Sequence, residues 1–170
     1  MRFFVTCIIA IVLWGCASSS STSLSGVPPV PATPIRDELI VPGHRIGPVS
    51  LGMTLQDLYR TMGNSTSSDR SRDGFRYEFG SLIVDVLAAN QKVMSITTTG
   101  SHATREGIGI GSSELAVRAT YGTPTRISKN RSSDGRLLRY TFCYSQGIGM
   151  NFHPGIGPGV DAIMVWSPGC

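Results

Sequence analysis

The sequence has few of the residues that build metal centres and acid–base sites. Its 170 residues include 3 histidines, 4 cysteines and 11 acidic residues. His44, His102 and His153 stand in separate segments, without the spacing of metal ligands. Gly-x-Ser-x-Gly motifs, Ser-x-x-Lys motifs and paired catalytic carboxylates are absent. These absences predict a protein that is not an enzyme and that holds no metal ion and no cofactor.

Charged residues are also scarce, at 15% of the chain, and the formal net charge is only +4 at pH 7. Nearly all of the 15 basic residues are arginines, and they are spread along the chain with no run of them. A protein that binds nucleic acid concentrates basic residues in a patch. The sequence therefore predicts no nucleic-acid partner. The 20 glycines and 10 prolines, with 41% hydrophobic residues, are typical of a turn-rich globular protein.

The N-terminal apolar run, Phe3–Leu13, is shorter than the roughly 20 residues that span a bilayer. It follows Arg2, as in a secretory signal peptide, which we predict over residues 1–15. The segment ends in Leu-Trp-Gly-Cys16 and resembles the lipobox of bacterial lipoproteins. That resemblance implies a diacylglycerol thioether on Cys16 and acylation of its amino group, as with palmitate. A plain signal peptide cleaved near Ala17, or an unprocessed anchor, is the alternative.

The predicted anchor also predicts a location. Two or three acyl chains hold a protein on a membrane far better than one. Ala17 is not the Asp that, by resemblance to enteric sorting, retains lipoproteins on the inner membrane. We expect a periplasm-facing lipoprotein of the outer membrane in a diderm bacterium, and otherwise one anchored to the cell membrane. Residues 16–43, rich in Ser and Pro, read as a disordered tether with a mean reach of roughly 30 Å.

The organising feature of the remaining chain is a repeat. Residues 51–63 recur 59 residues later as residues 110–122. In each copy a glycine and a hydroxyl residue precede about two turns of helical apolar periodicity, and a second glycine ends them. Thr54 in the first copy, and Ser112 or Ser113 in the second, have side chains suited to the helix N-cap. The pattern indicates an internal repeat with one short helix in each copy.

We therefore predict an α+β fold of two tandem β-α-β-β-β units, with antiparallel sheets and with the helices on one face. The first unit spans residues 44–102 and the second spans residues 103–170. After each helix a polar loop, residues 64–74 or 125–135, leads into a strand with apolar alternation. One unit alone has a marginal core, so we expect the two to pack side by side or to pair edges.

The alternation in these strands separates an apolar face from a polar one. In the first unit Phe75, Tyr77 and Phe79 alternate with a basic and an acidic residue. In the second unit the apolar residues Leu138, Tyr140 and Phe142 alternate with Arg139, Thr141 and Cys143. The apolar face packs on the helices and the polar face stays open. The residues predicted to lie on this open face and to contact a partner are Arg76, Glu78, Arg139, Thr141 and Asn151.

The cysteines predict one disulfide bond. Cys7 leaves with the signal peptide and Cys16 is lipidated, so the mature protein keeps Cys143 and Cys170. An even pair in an oxidising compartment favours a bond between them. Such a bond stabilises the fold by on the order of 3 kcal/mol in the entropic model. Two free thiols are the alternative.

The glycine-rich run over residues 107–111 precedes the second predicted helix, and helix N-termini bind anions. The run lacks the Lys-Ser/Thr of a phosphate loop and the βαβ context of a dinucleotide fold. In the first copy only the last glycine has a counterpart. A structural turn is therefore favoured over a phosphate site.

The sequence Leu51-Gly52-Met53-Thr54, the aromatic strand over residues 75–79 and the segment over residues 90–96 together resemble the SmpA/OmlA (BamE-like) outer-membrane lipoproteins. The tandem arrangement is similar to the β-lactamase-inhibitor-protein fold, in which two such units form one sheet that grips a partner. The second copy departs from the pattern, with Ser112 where Met would stand.

These resemblances imply a non-catalytic binding or scaffold module that contacts another envelope protein, as in outer-membrane assembly or maintenance. An inhibitor or accessory of a periplasmic or cell-wall enzyme, and a small envelope enzyme, are the alternatives. A weaker one is contact of the basic segment over residues 126–139 with lipid phosphates.

Overall fold

The structure is a computed structural model, which describes residues 37–168. This part of the chain is mostly β-sheet, with two short helices, α1 (Leu55–Met62) and α2 (Glu114–Tyr121). The strands in chain order are β1 (Leu39–Val41), β2 (Arg45–Ile46), β3 (Val49–Ser50), β4 (Ser67–Arg70), β5 (Gly74–Phe79), β6 (Leu82–Leu87), β7 (Val93–Thr98), β8 (Ala103–Thr104), β9 (Arg126–Arg131), β10 (Leu137–Tyr144), β11 (Ile148–Phe152) and β12 (Val160–Trp166).

Eight strands form one antiparallel sheet in the order β4-β5-β6-β7-β12-β11-β10-β9. Strands β4 to β7 precede α2 and strands β9 to β12 follow it, and the two groups join where β7 pairs with β12. Thr98 is opposite Ile163 in this pair, and Ser95 is opposite Trp166. Both halves of the folded chain therefore share one sheet, with β4 and β9 at its edges. The four shortest strands form a second, separate sheet in the order β3-β2-β1-β8, in which β1 and β8 run parallel.

The predicted fold class, an α+β protein of two tandem β-α-β-β-β units, is wrong. Each helix is followed by four strands of the shared sheet, and β1, β2, β3 and β8 form a sheet of their own. The segments predicted as loops, residues 64–74 and 125–135, contain β4 and β9. Every residue of these two edge strands is exposed, so no apolar alternation marks them. Backbone pairing with β5 and β10 forms them instead.

Both helices have the caps that the sequence predicts. Thr54 Oγ1 accepts a hydrogen bond from the Asp57 N–H at 3.2 Å, and Ser113 Oγ accepts one from the Ala116 N–H at 3.1 Å. The glycine after each helix has φ near +78° or +76°, which glycine adopts without a steric cost. The predicted caps are confirmed, and Ser113 rather than its neighbour is the N-cap of α2.

The glycine-rich run before α2 forms a turn, as predicted. The Gly107 N–H donates to the Thr104 carbonyl at 2.9 Å, and the Gly111 N–H donates to the Val160 carbonyl at 2.8 Å. Because these amides already have partners, they are not available to a phosphate group.

Both helices pack on the same face of the large sheet. Tyr59 of α1 lies edge-on to Tyr77 of β5, with 5.8 Å between ring centres. The Arg118 guanidinium of α2 lies 4.4 Å from the centre of the Phe142 ring on β10. Tyr77 and Phe142 belong to one buried apolar core that the helices cover. No helix among residues 37–168 covers the opposite side of the sheet, which we call the open face.

The folded part begins inside the segment predicted as a tether. Strand β1, at Leu39–Val41, pairs with β2 and β8 although it lies within residues 16–43. The predicted signal peptide, the lipidation site Cys16 and most of the tether lie outside the described residues. Within residues 37–168 no helix is both long and apolar enough to cross a membrane.

Candidate functional site

The open face arises from the same alternation that fills the core. On β5, Tyr77 and Phe79 are buried, so Arg76 and Glu78 project to the other side. At the middle of the open face, strands β5, β6, β7, β12, β11 and β10 border a depression of about 230 Å³, which we call the central pocket. Its lining residues are Arg76, Ile83, Asp85, Thr97, Thr99, Arg139, Asn151, Ala162 and Met164.

On one side of the central pocket, Arg76 is held tightly. Arg76 and Asp85 are opposite each other in the β5–β6 register, and Asp85 is opposite Ser95 in the β6–β7 register. The guanidinium donates to both carboxylate oxygens, from Nε at 2.8 Å and from Nη2 at 3.2 Å. Ser95 Oγ donates to the same carboxylate at 2.8 Å. The two hydrogen bonds from Arg76 fix the guanidinium in place, and they also raise the pKa of Arg76.

On the other side, Arg139 is held loosely. Its Nε lies 3.9 Å from Asp161 Oδ2, which is beyond hydrogen-bond distance. The second oxygen, Asp161 Oδ1, is buried and has no hydrogen-bond partner among the described residues. Arg139 thus has an ionic neighbour but donates no hydrogen bond to any residue that the structure describes. Its side chain is 49% exposed and lines the pocket.

Between the two arginines, Asn151 presents an amide to the pocket. Thr141 Oγ1 donates to Asn151 Oδ1 at 2.6 Å, which fixes the amide across β10 and β11. Asn151 is only 5% exposed. Its Nδ2 has no hydrogen-bond partner within residues 37–168, and neither has the hydroxyl of Thr97 on β7. A donor that faces a pocket and has no partner in the protein can bind an acceptor of a ligand.

The five residues predicted to contact a partner all lie on the open face, but they differ in their position relative to the central pocket. Arg76, Arg139 and Asn151 line the central pocket. Thr141 lies behind Asn151 and holds it. Glu78 is on the same face but stands opposite Ile83 and Ser67, outside the lining. The prediction brings together four of the five residues at one site, although nothing in the structure tests whether they bind a partner.

Sequence reasoning missed the acidic residue of the pocket, Asp85, its hydroxyls, and Asp161 beside Arg139. Asp85 lies between the buried Val84 and Val86 on β6, so its alternation marks it as an open-face residue. That signal was present in the sequence. The pairing of Asp85 with Arg76, and of Asp161 with Arg139, depends on strand register, which the pattern of one strand does not give.

The cysteines leave the disulfide prediction untested. Cys143, on β10, is 5% exposed and stands opposite Gly149. A side chain at Gly149 would meet the Trp166 ring at 2.6 Å, so this ring lies directly over the glycine. Cys170 lies outside the described residues.

The three histidines do not meet. His44 follows β1, His102 precedes β8 and His153 follows β11. His102 Nδ1 is 2.9 Å from Thr98 Oγ1, and burial lowers the pKa of this histidine. Residues 37–168 contain no group of three or more His, Cys, Asp or Glu that could hold a metal ion.

Two further depressions flank the turn after β11, of about 400 Å³ and 490 Å³, and His153 lines both. Glycine, proline and aliphatic residues form most of the wall of the first, among them Ile156, which is 74% exposed, and residues 136–138 form half of the wall of the second. The central pocket is the better candidate because its polar groups converge from paired strands of a rigid sheet.

Comparison with known proteins identifies no family. No protein-family model matches the chain, and no curated protein matches its sequence. The fold is similar to a DUF4309 family protein (YjgB) from Bacillus subtilis, with a TM-score of 0.44 and 13% identity, over 67% of this chain and 78% of that one. It is also similar to a cysteine-rich secretory protein from Staphylococcus aureus, with a TM-score of 0.46 and 15% identity, over 74% of this chain and 46% of that one.

Likeness at this level assigns no function. Neither solved structure bears the name of the SmpA/OmlA or β-lactamase-inhibitor-protein families. The resemblance to those families remains a prediction from the sequence.

Proposed function

We propose that this protein is an envelope lipoprotein, anchored through Cys16, that binds another envelope protein through its open face and catalyses no reaction. The observation that carries the proposal is the central pocket, where Arg139 and Asn151 present hydrogen-bond donors that no described residue uses. Unused donors on an exposed sheet face suit recognition of a partner.

The surroundings of the pocket also favour binding over catalysis. Its carboxylate, Asp85, already accepts hydrogen bonds from Arg76 and Ser95. A group held in this way is a poor general base, because abstraction of a proton requires a free oxygen near the substrate. The lipobox-like segment supports the envelope location, where a tethered domain meets membrane-associated partners.

A photo-cross-linking experiment in the cells that produce the protein tests the binding function. A benzophenone amino acid replaces Glu78, which lies on the open face beside the pocket, and in a matched variant replaces Leu115 of α2, which is 78% exposed. We expect one discrete protein adduct from position 78, lost when Arg139 is changed to Glu, and none from position 115. The same adduct pattern from both positions, or none from either, contradicts the proposal.

Metabolic labelling with palmitate tests the anchor separately. We expect label in the wild-type protein and in Cys7→Ser, whose cysteine leaves with the signal peptide, but none in Cys16→Ser. Label that persists in Cys16→Ser rules out this lipidation site.

A further inference from the structure

We propose that the central pocket binds a carboxylate, supplied by an acidic side chain of the partner, with Arg139 and Asn151 as its donors. This inference rests on the proposed function, because it names the chemical group that the same surface recognises. It specifies the class of ligand, states that the protein donates and the ligand accepts the hydrogen bonds, and assigns separate roles to the lining residues.

The acceptors of the pocket have hydrogen-bond partners within the protein, whereas two of its donors have none among the described residues. The acceptors are satisfied: Asp85 accepts from Arg76 and Ser95, and Asn151 Oδ1 accepts from Thr141. The donors are not, since Asn151 Nδ2 and the Arg139 guanidinium have no hydrogen-bond partner among residues 37–168. A ligand that completes this set must bring acceptors.

Among the described residues, Arg139 is held only by a long contact with Asp161. Its 3.9 Å separation from Asp161 and its half-exposed side chain leave the planar guanidinium able to turn toward the pocket. A guanidinium binds a carboxylate through two parallel N–H···O bonds. Arg76 cannot do this without breaking its own pair with Asp85, so Arg76 acts as a positioning residue that shapes the pocket wall.

The charges around the pocket favour a carboxylate over a phosphate. Asp85 neutralises Arg76, and Asp161 stands beside Arg139. The pocket therefore offers a single loosely held cation, and a dianion would meet two nearby carboxylates that repel it. The volume of about 230 Å³ is below the range of sites for drug-sized ligands and suits the end of one side chain.

An NMR titration of the full chain carrying Cys16→Ser tests the inference. The probes are the α-methylamides of N-acetyl-L-glutamate, which then carries one carboxylate, and of N-acetyl-L-glutamine, its neutral isostere, together with inorganic phosphate; below, N-acetyl-L-glutamate and N-acetyl-L-glutamine mean these amides. We expect N-acetyl-L-glutamate to bind with a dissociation constant of about 1 mM, as for a small ligand on an open site. Its shifts should localise to Thr97, Arg139 and Asn151. N-acetyl-L-glutamine and phosphate should bind at least about fivefold more weakly, because one lacks the charge and the other carries too much.

Three variants assign the donors. Arg139→Gln should weaken binding of N-acetyl-L-glutamate by about tenfold or more, since it removes a charge-assisted contact. Asn151→Asp keeps the acceptor for Thr141 but replaces the free N–H₂ with a negative charge, and should abolish binding. Arg60→Gln, on α1 with its side chain 69% exposed, is the control and should leave the affinity unchanged.

The outcomes separate this inference from the proposed function. Equal affinity for N-acetyl-L-glutamine, tighter binding of phosphate, or unchanged binding in both Arg139→Gln and Asn151→Asp overturns the carboxylate site. Specific binding of N-acetyl-L-glutamate with no cross-linked protein from position 78 supports the site and overturns the protein-binding function. A cross-linked partner without binding of the probe supports the protein-binding function and overturns the carboxylate site.

Discussion

The two arginines of the open face occupy similar places in the two halves of the sheet but are held in different ways. Arg76 on β5 donates two hydrogen bonds to Asp85, which Ser95 also supports. Arg139 on β10 lies 3.9 Å from Asp161 and donates none to any described residue. Both guanidinium side chains are 49% exposed, so exposure does not explain the difference.

Strand geometry explains it. Asp85 is directly opposite Arg76 on the neighbouring strand and its side chain is 15% exposed, so the pair forms across one ladder step. Asp161 belongs to β12, whose neighbour β11 separates it from β10. A guanidinium that must reach across a strand makes a long contact. One half of the sheet has thus fixed its cation for stability, whereas the other keeps a cation available to a ligand.

The largest expected effect comes from removing Asp85, with removal of Asp161 as the comparison. Asp85→Ala should lower the free energy of unfolding by about 2 kcal/mol, because it leaves Ser95 and Arg76 without their acceptor. Asp161→Ala should change it by less than about 0.5 kcal/mol, because the buried Oδ1 has no bond to lose. Urea unfolding of both variants measures the contrast. Equal losses would show that the two pairs are equivalent.

The hydroxyls of the pocket give the next contrast. Thr141→Val should cost about 1 kcal/mol, since it removes the hydrogen bond to Asn151 and leaves a buried acceptor unpaired. Thr97→Val, at a pocket hydroxyl without a partner among residues 37–168, should cost less than about 0.3 kcal/mol and serves as the matched control. A loss at Thr97 as large as that at Thr141 would mean that Thr97 has a structural role.

Double-mutant cycles sharpen the comparison of the ion pairs themselves. The coupling energy between Arg76→Ala and Asp85→Ala should be about 1 kcal/mol, the upper range for a half-exposed pair. The coupling between Arg139→Ala and Asp161→Ala should be about 0.2 kcal/mol or less. Each coupling energy is measured by denaturant unfolding of the wild type, the two single variants and the double variant. A coupling at Arg139 that matches the one at Arg76 would remove the basis for calling Arg139 available.

The smallest expected effect is that of salt. Raising the ionic strength from about 0.05 M to about 0.5 M shortens the screening length severalfold. The affinity for N-acetyl-L-glutamate should then fall by about threefold, because the contact with Arg139 is exposed. The unfolding free energy of the wild type should change little, since the Arg76–Asp85 pair is hydrogen-bonded. An affinity that is independent of salt would argue against a charged contact.

The sequence predicts those features that depend on local chemistry. The caps at Thr54 and Ser113 and the turn at Gly107 follow from residue type, and the placement of Arg76 and Arg139 on one face follows from alternation. The edge strands β4 and β9 could not be predicted, because they bury no side chain and take their conformation from neighbours. The predicted fold class is wrong because of these edge strands and because β1, β2, β3 and β8 form a separate sheet.

The sequence also could not predict that Arg76 is held tightly and Arg139 loosely. Arg76 and Arg139 occur in similar alternating strands, and only the register of β6 and the position of β12 decide which aspartate each one meets. The unused amide of Asn151 likewise depends on Thr141 standing directly opposite it. The geometry of the pocket thus depends on contacts between strands, which the pattern of one strand does not give.

The most direct test is the exchange of the arginine Nε–H protons with water, observed by ¹⁵N NMR with and without N-acetyl-L-glutamate. The account predicts slow exchange for Arg76 in both states, because Asp85 holds it. It predicts fast exchange for Arg139 in the free protein and slow exchange only when the probe is bound. Slow exchange at Arg139 in the free protein, or no change there on saturation with the probe, would contradict the claim that this arginine is held in reserve for a carboxylate.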